Sequence, residues 1–266
     1  MKLQNKVIVV TGGGNGIGQH LVLQLLKKGA KVAAVDINLA NLQATKEMAG
    51  DVQSNLSLHE VDISNKASVE QLAKDVLAQH TVVDCVINNA GIIHPFEPVH
   101  ELDDAIIERV MNVNFYGTLY MVKAFLPALK ERPEALIANV SSMGGLFAFP
   151  DQSVYGASKA AIKLLTEGLY AELRGTTVKV SAIYPGAIDT EITKNSNAHN
   201  ENLDKLRAKF QATTPASAAQ QIIKGIEADR FCIYVGLDSR ILGLLYRIMP
   251  KGTILLMRKT MDLLMT

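Results

Sequence analysis

The stretch VIVVTGGGNGIGQHLVLQLL, residues 7–26, joins a short apolar run to a glycine-rich turn and then to a helical pattern. The run from Val7 to Val10 consists of β-branched residues without a polar interruption, as expected for a strand buried on both faces of a parallel sheet. After the turn, apolar residues recur at helical spacing. A strand, a glycine turn and a helix in this order are typical of a phosphate cradle, because residues without side chains let the backbone approach the phosphates.

The turn itself is an ambiguous signal. Its glycines follow the spacing Gly-x-x-x-Gly-x-Gly from Gly12 to Gly18, with no Gly-x-Gly-x-x-Gly match, and an ordinary tight turn would also use them. The second predicted strand, Lys31 to Val35, strengthens the prediction because it ends in Asp36. A carboxylate at that point accepts hydrogen bonds from a ribose 2′-hydroxyl and repels a 2′-phosphate. The sequence therefore predicts dinucleotide binding.

The rest of the chain alternates strand-like and helix-like segments, without a repeat or a low-complexity linker. We predict strands near 55–61, 83–88, 135–141, 177–183 and 231–235, and helices near 16–28, 39–49, 66–79, 102–130, 153–174 and 215–228. This alternation indicates an α/β fold, a single-domain, doubly wound, Rossmann-like parallel sheet with helices on both faces. Ligands bind beyond the carboxyl ends of such strands. Six candidate binding or catalytic positions lie at or just past predicted strand ends: Gly12, Asp36, Asp62, Asn88, Ser142 and Pro185.

A tyrosine and a lysine stand four residues apart in VYGASKAAI, residues 154–162. On a helix, Tyr155 and Lys159 would share one face. A cation within about 4–6 Å lowers the pKa of a phenol from its usual value of about 10. The pair is therefore a candidate proton-transfer device, with Ser142 thirteen residues upstream. Alone it is weak evidence, since the same spacing occurs on solvated helices.

Six motifs follow one another along residues 3–235: Thr11-Gly12-x-x-x-Gly16-Ile17-Gly18, Asn88-Asn89-Ala90-Gly91, Asn114, Ser142, Tyr155-x-x-x-Lys159 and Pro185-Gly186. In this order and approximate spacing they resemble the short-chain dehydrogenase/reductase family, in its compact single-domain branch. The resemblance implies an enzyme that interconverts a secondary alcohol and a ketone with a nicotinamide cofactor. Asp36 favours NAD as that cofactor. Asn15 and Ile37 also favour NAD, because they stand at positions where NADP-preferring members of the family often have arginine or lysine.

The resemblance implies four catalytic residues. Ser142 would hold the substrate oxygen, and Tyr155 would act as the general acid or base. Lys159 would bind the nicotinamide ribose, lower the tyrosine pKa and pass the proton on. The asparagine matching Asn114 distorts its helix in the family and holds a water that links the lysine to solvent. Two alternatives stay open, namely Ser141 in place of Ser142 if the strand register slips, and Asn112 in place of Asn114.

The resemblance also implies a set of cofactor-binding residues along the strand ends. Asp62 and Ile63 would contact the adenine, although Asp62 is equally well explained as an N-cap or turn residue before the helix at 66. Thr190 would bind the nicotinamide carboxamide. The full predicted set is Gly12, Asn15, Gly16, Ile17, Gly18, Asp36, Ile37, Asp62, Ile63, Asn89, Ala90, Gly91, Tyr155, Lys159, Pro185, Gly186, Ile188 and Thr190.

The sequence predicts the substrate-facing residues less closely than the cofactor-binding ones. We expect them in 92–97, 143–152 and 187–212, where Leu146, Phe147 and Phe149 suggest an apolar pocket for a steroid-like, long-chain or hydroxyacyl alcohol or ketone. His94 is expected to be an exposed loop residue rather than a substrate contact. Two alternatives remain. One is a 3-oxoacyl reductase, which Asp36 disfavours because those enzymes usually take NADPH, and the other is an NAD-sensing binding protein with little turnover.

Composition narrows the function classes. The chain has 266 residues, a net charge of +1 and a pI of about 7.8, so nothing indicates nucleic-acid binding. The six histidines show no ligand-like spacing, and no metal is expected. The apolar run after Lys6 is too short for a signal peptide. Cys85 and Cys232 are isolated and predict buried thiols in a reducing compartment, so a cytoplasmic protein is expected.

The C-terminal segment SRILGLLYRIMPKGTILLMRKTMDLLMT, residues 239–266, is unusual. We predict a boundary between a cofactor-binding and catalytic domain, 1–238, and this extension. Its apolar run is broken by Arg247 and Pro250, so neither half is long enough to span a bilayer. Basic and apolar residues alternate as in an amphipathic helix pair. The pair would pack on the domain or on another subunit of a homodimer or homotetramer, cover the pocket as a lid, or lie on a membrane surface as a peripheral contact.

Overall fold

The computed structural model describes residues 1–190, 192, 196, 198 and 212–265, and for 261–265 only the backbone is described. Within these residues, seven strands alternate with helices. The strands are β1 Val7–Thr11, β2 Lys31–Asp36, β3 Leu56–Glu60, β4 Cys85–Asn88, β5 Ala135–Val140, β6 Val178–Pro185 and β7 Cys232–Val235. The helices are α1 Gly16–Lys27, α2 Leu39–Ala49, α3 Lys66–His80, α4 Asp104–Met111, α5 Thr118–Lys130, α6 Ser153–Glu172, α7 Pro215–Glu227, α8 Leu237–Ile248 and α9 Pro250–Met265.

All seven strands form one parallel sheet in the order β3-β2-β1-β4-β5-β6-β7. The predicted doubly wound α/β fold is therefore confirmed. Strand order reverses between β1 and β4, where the chain has crossed from one half of the sheet to the other. In sheets of this kind the crevice beyond the carboxyl ends at the reversal is the place where ligands bind. The turns after β1 and β4 both reach it.

The two faces of the sheet carry separate apolar clusters. Ile8 and Val10 of β1 pack in one cluster, together with α1 and α7, whereas Val7 and Val9 pack in the other, with α3 and α5. All five β1 residues are buried. Because both faces of a central strand are covered by helices, it has no exposed side that would call for polar residues. This explains the uninterrupted apolar run in the sequence.

The helix predicted over 102–130 is present from Asp104 to Lys130, and it is distorted around Asn114, as the resemblance implies. It is α4 and α5, joined by one wider π-helical segment, Asn112–Gly117. The Asn114 carbonyl accepts a hydrogen bond from the Thr118 hydroxyl at 2.9 Å, and Gly117 approaches Ile63 so closely that an added Cβ would lie 2.8 Å from its side chain. Wider turns of this type occur often at functional sites.

The C-terminal segment forms α8 and α9. Helix α8 begins at Leu237, so the predicted boundary after residue 238 falls within its first turn. The buried Ser239 hydroxyl donates to the Tyr184 carbonyl of β6 at 2.7 Å, which fixes this turn to the sheet. Over the residues that the structure describes, no helix is long and apolar enough to cross a membrane.

Candidate active site

A cavity of about 670 Å³ lies beyond the carboxyl ends of the strands. All the predicted site residues line it except Gly18 and Asn114. The structure therefore brings together residues that are spread over nearly 180 positions of sequence, from the glycine turn to the loop after β6. Gly18 and Asn114 lie behind the cavity wall, where both make close contacts that shape it.

The glycine turn leaves the N-terminus of α1 open toward the cavity. Gly12 has a φ of +68°, and a Cβ there would lie 2.9 Å from the Asn89 amide nitrogen. A Cβ on Gly18 would collide with the Gly12 carbonyl. Asn15 caps α1, its side chain accepting from Gly16 N at 2.6 Å. Side-chain-free residues at a helix N-terminus beside a cavity of this size fit the pyrophosphate of a dinucleotide.

Two side chains connect the turns after β1 and β4. The Thr11 hydroxyl accepts hydrogen bonds from the backbone N–H groups of Asn89 at 2.9 Å and of Ala90 at 3.0 Å. The Asn89 side-chain amide donates to the Thr11 carbonyl at 3.0 Å. These bonds join the two turns at the point where the strand order reverses, and they hold Gly91 at the edge of the cavity.

Asp36 lies at the end of β2 beside the glycine turn. One carboxylate oxygen accepts from Gly14 N at 3.0 Å and the other from Asn38 N at 3.0 Å. The carboxylate is thus held at the cavity edge where the 2′-position of a ribose would lie. The side chain of Asp62, after β3, accepts from Ser64 in a turn, while Asn65 caps α3. Of the non-cofactor roles considered for Asp62, the turn is therefore the correct one and the N-cap is wrong.

Ser142 and Ser141, at the end of β5, point in different directions. Ser142 hydrogen-bonds Tyr155 and accepts from Gly144 N at 3.0 Å. The Ser141 hydroxyl is buried and donates to the Lys159 carbonyl at 2.7 Å, which fixes α6 to β5. The strand register therefore places Ser142, rather than Ser141, against the phenol.

Lys159 and Asn114 stand one behind the other next to Gly91. The Lys159 ammonium donates to the Val140 carbonyl at 3.0 Å, and a Cβ on Gly91 would lie 2.9 Å from Nζ and 3.2 Å from Asn114 Oδ1. Asn114 is fully buried and brackets Ile92 by accepting from its N–H at 2.8 Å and donating to its carbonyl at 2.9 Å. Asn112 is exposed, so the structure favours Asn114 of the two.

The predicted lowering of the Tyr155 pKa is wrong for the protein alone. Burial raises the pKa of this phenol, and the hydrogen bond with Ser142 only partly opposes the rise. Burial also lowers the pKa of Lys159 from 10.5 to about 8. Loss of water disfavours both charged forms, and for the phenol this desolvation outweighs the opposing hydrogen bond with Ser142. A phenolate at neutral pH would need a further positive charge beside the pair.

Sequence reasoning missed Gln152 and misjudged His94. Gln152, one helical turn before Tyr155, lines the cavity, and its Nε2 donates to the His94 carbonyl at 2.6 Å and, at 3.4 Å, to the Pro95 carbonyl. His94 is buried rather than exposed. Its Nδ1 hydrogen-bonds the Pro95 carbonyl at 2.6 Å, and its own backbone carbonyl accepts from Gln152 Nε2. The position of Gln152 one turn ahead of the Tyr-x-x-x-Lys motif was the signal that could have identified it.

The predicted apolar lining is confirmed in part. From 143–152, Met143, Gly144, Phe149 and Gln152 line the cavity. Leu146 and Phe147 turn away from it and pack on α8, against Gly243 and Tyr246. From 92–97, the lining residues are Ile92, Ile93 and Phe96. Most of the predicted loop 187–212 lies outside the described residues, although Ala187, Ile188, Thr190 and Ile192 line the cavity.

Asp238, the second residue of α8, is another contact that the sequence did not suggest. Its carboxylate accepts from Ala187 N at 2.6 Å and contacts Gly186. It thereby supports the loop after β6 that carries Ile188 and Thr190 to the cavity. An aspartate in the first turn of a helix also matches the helix dipole, which was the available signal.

Comparison with known proteins agrees with this geometry. Residues 6–201 match the family model of the short chain dehydrogenases. SadH of Mycobacterium tuberculosis is 33% identical over 92% of this chain and 91% of its own length. The NADP-dependent 3-hydroxy acid dehydrogenase YdfG of Escherichia coli is 30% identical over 83% of this chain and 87% of its own. A Burkholderia phymatum short chain dehydrogenase/reductase solved with NAD superposes with a TM-score of 0.80, at 27% identity over 88% of this chain and 90% of that one.

The chain belongs to the short-chain dehydrogenase/reductase family. It is an oxidoreductase with a Rossmann-like domain that binds a nicotinamide dinucleotide.

Proposed function

We propose that the protein uses NAD to interconvert a secondary alcohol and a ketone on an apolar substrate. The observation that carries the proposal is the meeting of Ser142, Tyr155 and Lys159 at the wall of the cavity that the glycine turn and Asp36 also border. In this arrangement an acid–base group and a dinucleotide cradle face the same space. The dinucleotide, when bound, supplies or accepts the hydride at its nicotinamide ring.

The chain's own residues position the substrate and move the proton. The Ser142 hydroxyl donates to the substrate oxygen and holds it beside the phenol. Tyr155 takes the hydroxyl proton when an alcohol is oxidised and returns it when a ketone is reduced. An oxidised nicotinamide is cationic and would provide the additional positive charge that the buried phenol needs. Lys159 Nζ and Asn114 Oδ1 both lie beside Gly91, which supports a proton path from the phenol through the ammonium toward Asn114.

The preference for NAD rests on Asp36. Its carboxylate is fixed by Gly14 N and Asn38 N, so it cannot turn aside to admit a 2′-phosphate without losing both hydrogen bonds. The comparisons include both a structure holding NAD and a relative named as NADP-dependent, so cofactor choice is a property of the individual chain. We expect kcat/KM to be at least tenfold higher with NAD than with NADP. Equal or reversed values would contradict the assignment.

The cavity wall suggests the substrate class. Ile92, Ile93, Phe96 and Phe149 are apolar and line it, which suits a steroid-like, long-chain or hydroxyacyl compound. Gln152 is the exception. Two carbonyls, of His94 and Pro95, fix its amide so that Nε2 donates, which leaves Oε1 buried with no donor among the described residues. A buried acceptor of this kind is costly unless paired. Because Oε1 is closed off from solvent, the amide would have to turn slightly toward the cavity, and we propose that it then accepts from a hydroxyl or N–H group of the substrate.

Two other functions fit the same fold. A 3-oxoacyl reductase would use the same acid–base group, and turnover of a 3-oxoacyl thioester at least tenfold above that of simple ketones would favour it. An NAD-sensing binding protein would bind the dinucleotide with little turnover. A panel of secondary alcohols with an NADH absorbance readout separates these outcomes, because the sensor would bind NAD without reducing it on any member.

The test of the proposal is Tyr155→Phe. The substitution removes the phenolic hydroxyl and keeps the ring, so we expect kcat to fall by about 10²-fold or more while NAD binding measured by calorimetry changes little. Tyr170→Phe is the matched control, since Tyr170 is half-exposed on the same helix and packs on Phe231 outside the cavity. Unchanged turnover in the Tyr155 variant would refute the mechanism.

A further inference from the structure

Helix α8 presents an apolar stripe to the outside. Leu237, Ile241, Leu244 and Ile248 follow one another at intervals of four, three and four residues, and each is at least 60% exposed. These intervals place all four on one face of the helix. Ser239 and Gly243 on the opposite face are buried against the protein. The stripe is therefore directed away from the domain.

Further exposed apolar residues follow the stripe along the chain, at the end of α8 and in α9. Met249 and Leu255 are each more than half exposed, and together with the four α8 residues they form what we call the C-terminal apolar surface. Of the fifteen large exposed hydrophobic residues in the described part of the chain, eight lie between 237 and 256. Scattered single apolar residues are normal on a protein surface, but a contiguous patch indicates a binding surface.

The segment that carries this surface is predominantly basic, although Asp238 precedes it and Arg258 lies 3.9 Å from the Asp151 carboxylate. Residues 239–260 contain five basic residues and no acidic one, in a chain with 27 basic and 26 acidic residues overall. The five are Arg240, Arg247, Lys251, Arg258 and Lys259. At about 100° per residue, Arg240 and Arg247 flank the α8 stripe on one side, roughly 70–90° from its centre. An apolar centre flanked by basic residues is the pattern of a helix that lies in a lipid interface.

The charge pattern distinguishes among three possible roles of this surface: contact with a second copy of the chain, a lid over the cavity, and contact with a bilayer. A second copy of the chain, packed through the same segment, would bring no acidic residue from 239–260 to pair with these basic residues. A lid over the cavity would use the inner face of α8, where Tyr246 contacts Phe147, and would leave the stripe exposed. An anionic bilayer matches both the apolar centre and the basic flank. We propose that the C-terminal apolar surface docks on the surface of a membrane that contains anionic lipid.

The docking surface adjoins the active site. The inner face of α8 packs on Leu146 and Phe147, and the neighbouring Met143 and Phe149 line the cavity. Docking would therefore hold the apolar wall of the cavity close to the lipid, where a hydrophobic alcohol or ketone accumulates. This last step rests on the proposed function, whereas docking itself does not.

The test is co-sedimentation of the full chain with vesicles. We expect binding to vesicles of phosphatidylcholine mixed with phosphatidylglycerol, much weaker binding to phosphatidylcholine alone, and loss of binding at high salt. The double variant Arg240→Gln/Arg247→Gln should bind the mixed vesicles about 30-fold more weakly. Ile241→Ser/Leu244→Ser should lower binding at least tenfold through lost apolar contact.

Matched controls carry the same chemical changes on other faces. Lys27→Gln/Lys74→Gln removes two exposed charges from α1 and α3, and Leu164→Ser removes an exposed leucine from α6. Both should bind vesicles like the unaltered chain. Circular dichroism verifies that every variant is folded. The assay requires no turnover, so its outcome is independent of the Tyr155→Phe test.

Two results would overturn the proposal. One is wild-type vesicle binding by both test variants. The other is absence of vesicle binding by the unaltered chain, combined with a dimer in light scattering that Ile241→Ser/Leu244→Ser converts to a monomer. The second result would assign the surface to a copy of the same chain.

Discussion

At the residue scale, Gln152 shows how a single hydrogen-bonded amide can add polar selectivity to an apolar cavity. Carbonyls on one side hold its nitrogen, and the oxygen on the other side is a buried acceptor without a donor among the described residues. The aliphatic and aromatic side chains around it contribute burial, which is nearly independent of direction. A buried acceptor distinguishes a substrate that carries a donor from one that lacks it.

We expect Gln152→Leu to remove this discrimination. The measurement is kcat/KM for pairs of hydroxyketones and their deoxy analogues. The unaltered chain should favour the hydroxyl-bearing member of a productive pair by about tenfold, and the variant should treat the two alike. The ratio is the informative quantity, because a displaced His94 loop would lower both rates together. A variant that keeps the tenfold ratio would show that Oε1 does not contact substrate.

A second residue-scale prediction concerns the buried Lys159. Its pKa is about 8 in the folded chain and near 10.5 when exposed, so the unfolded state binds more protons between these values. Folding stability therefore rises with pH across that window. Lys159→Met has no such charge, and the stability of the unaltered chain relative to this variant should improve by about 2 kcal/mol between pH 7 and pH 9.5. Urea unfolding at the two pH values measures it, and a pH-independent difference would contradict the burial argument.

At the scale of elements, the loop after β6 depends on α8. Asp238 accepts from Ala187 N, and Ser239 bonds the Tyr184 carbonyl, so the first turn of this helix supports the last residues of the strand from outside. Ile188 and Thr190 follow in the same loop and line the cavity. A residue outside the predicted cofactor-binding set thus positions residues within it.

We expect Asp238→Ala to weaken cofactor binding more than catalysis. Without the carboxylate, Ala187 N loses its acceptor and the loop gains freedom, so KM for NAD should rise about tenfold while kcat falls less than threefold. Asp51→Ala is the matched control, because Asp51 is exposed near the end of α2, far along the sequence from this loop. A fall in kcat with an unchanged KM would assign Asp238 a different role.

A comparison of the helices and strands with their predictions shows which features of the fold could be predicted from the sequence. The first strand and helix, predicted at Val7 to Val10 and 16–28, match β1 and α1 because apolar spacing records burial directly. The wider π-helical turn at Asn112–Gly117 was not predicted from the spacing of apolar residues, since one wider turn shifts the helical phase without changing residue types. The facing of Phe149 toward the cavity and of Phe147 toward α8 depends on a turn whose geometry neighbouring elements decide.

The candidate site could be predicted from the sequence to a similar extent. Strand ends of a parallel sheet meet at one edge, so residues such as Asp36 and Ser142 could be grouped before any distance was known. The pKa of Tyr155 could not be inferred in the same way. Spacing identifies a neighbouring cation, but desolvation depends on how completely the surrounding elements exclude water, and here desolvation is larger than the opposing effect of the Ser142 hydrogen bond.

At the scale of the whole molecule, the catalytic cavity and the C-terminal apolar surface are separate features connected by α8. One face of this helix is fixed to β6 and to the turn after β5, and the other carries the exposed stripe. Helix α9 is attached more loosely. Among its side chains that the structure describes, Thr253 is the buried one, and its hydroxyl bonds the Met249 carbonyl just before the helix. The half-exposed Arg258 lies 3.9 Å from the Asp151 carboxylate of the domain, an exposed ion pair of small energetic weight.

This difference predicts the effect of truncation. A chain of residues 1–249 loses α9 but keeps the α8 contacts, so we expect its melting temperature to fall by less than about 4 °C and turnover of a small water-soluble ketone to stay within about twofold. A chain of residues 1–236 also loses Ser239, which leaves the buried Tyr184 carbonyl without this donor, and should be destabilised by a further 1–3 kcal/mol or about 4 °C or more.

Calorimetry and steady-state kinetics on the two truncated chains test this order. The longer one should also bind anionic vesicles more weakly than the full chain, because it lacks Lys251, Arg258 and Lys259. Altered chain-length preference with intact turnover would instead indicate that α9 covers the cavity. Loss of folding in the longer truncation would contradict the argument, since it would mean that the described contacts of α9 understate its contribution to the domain.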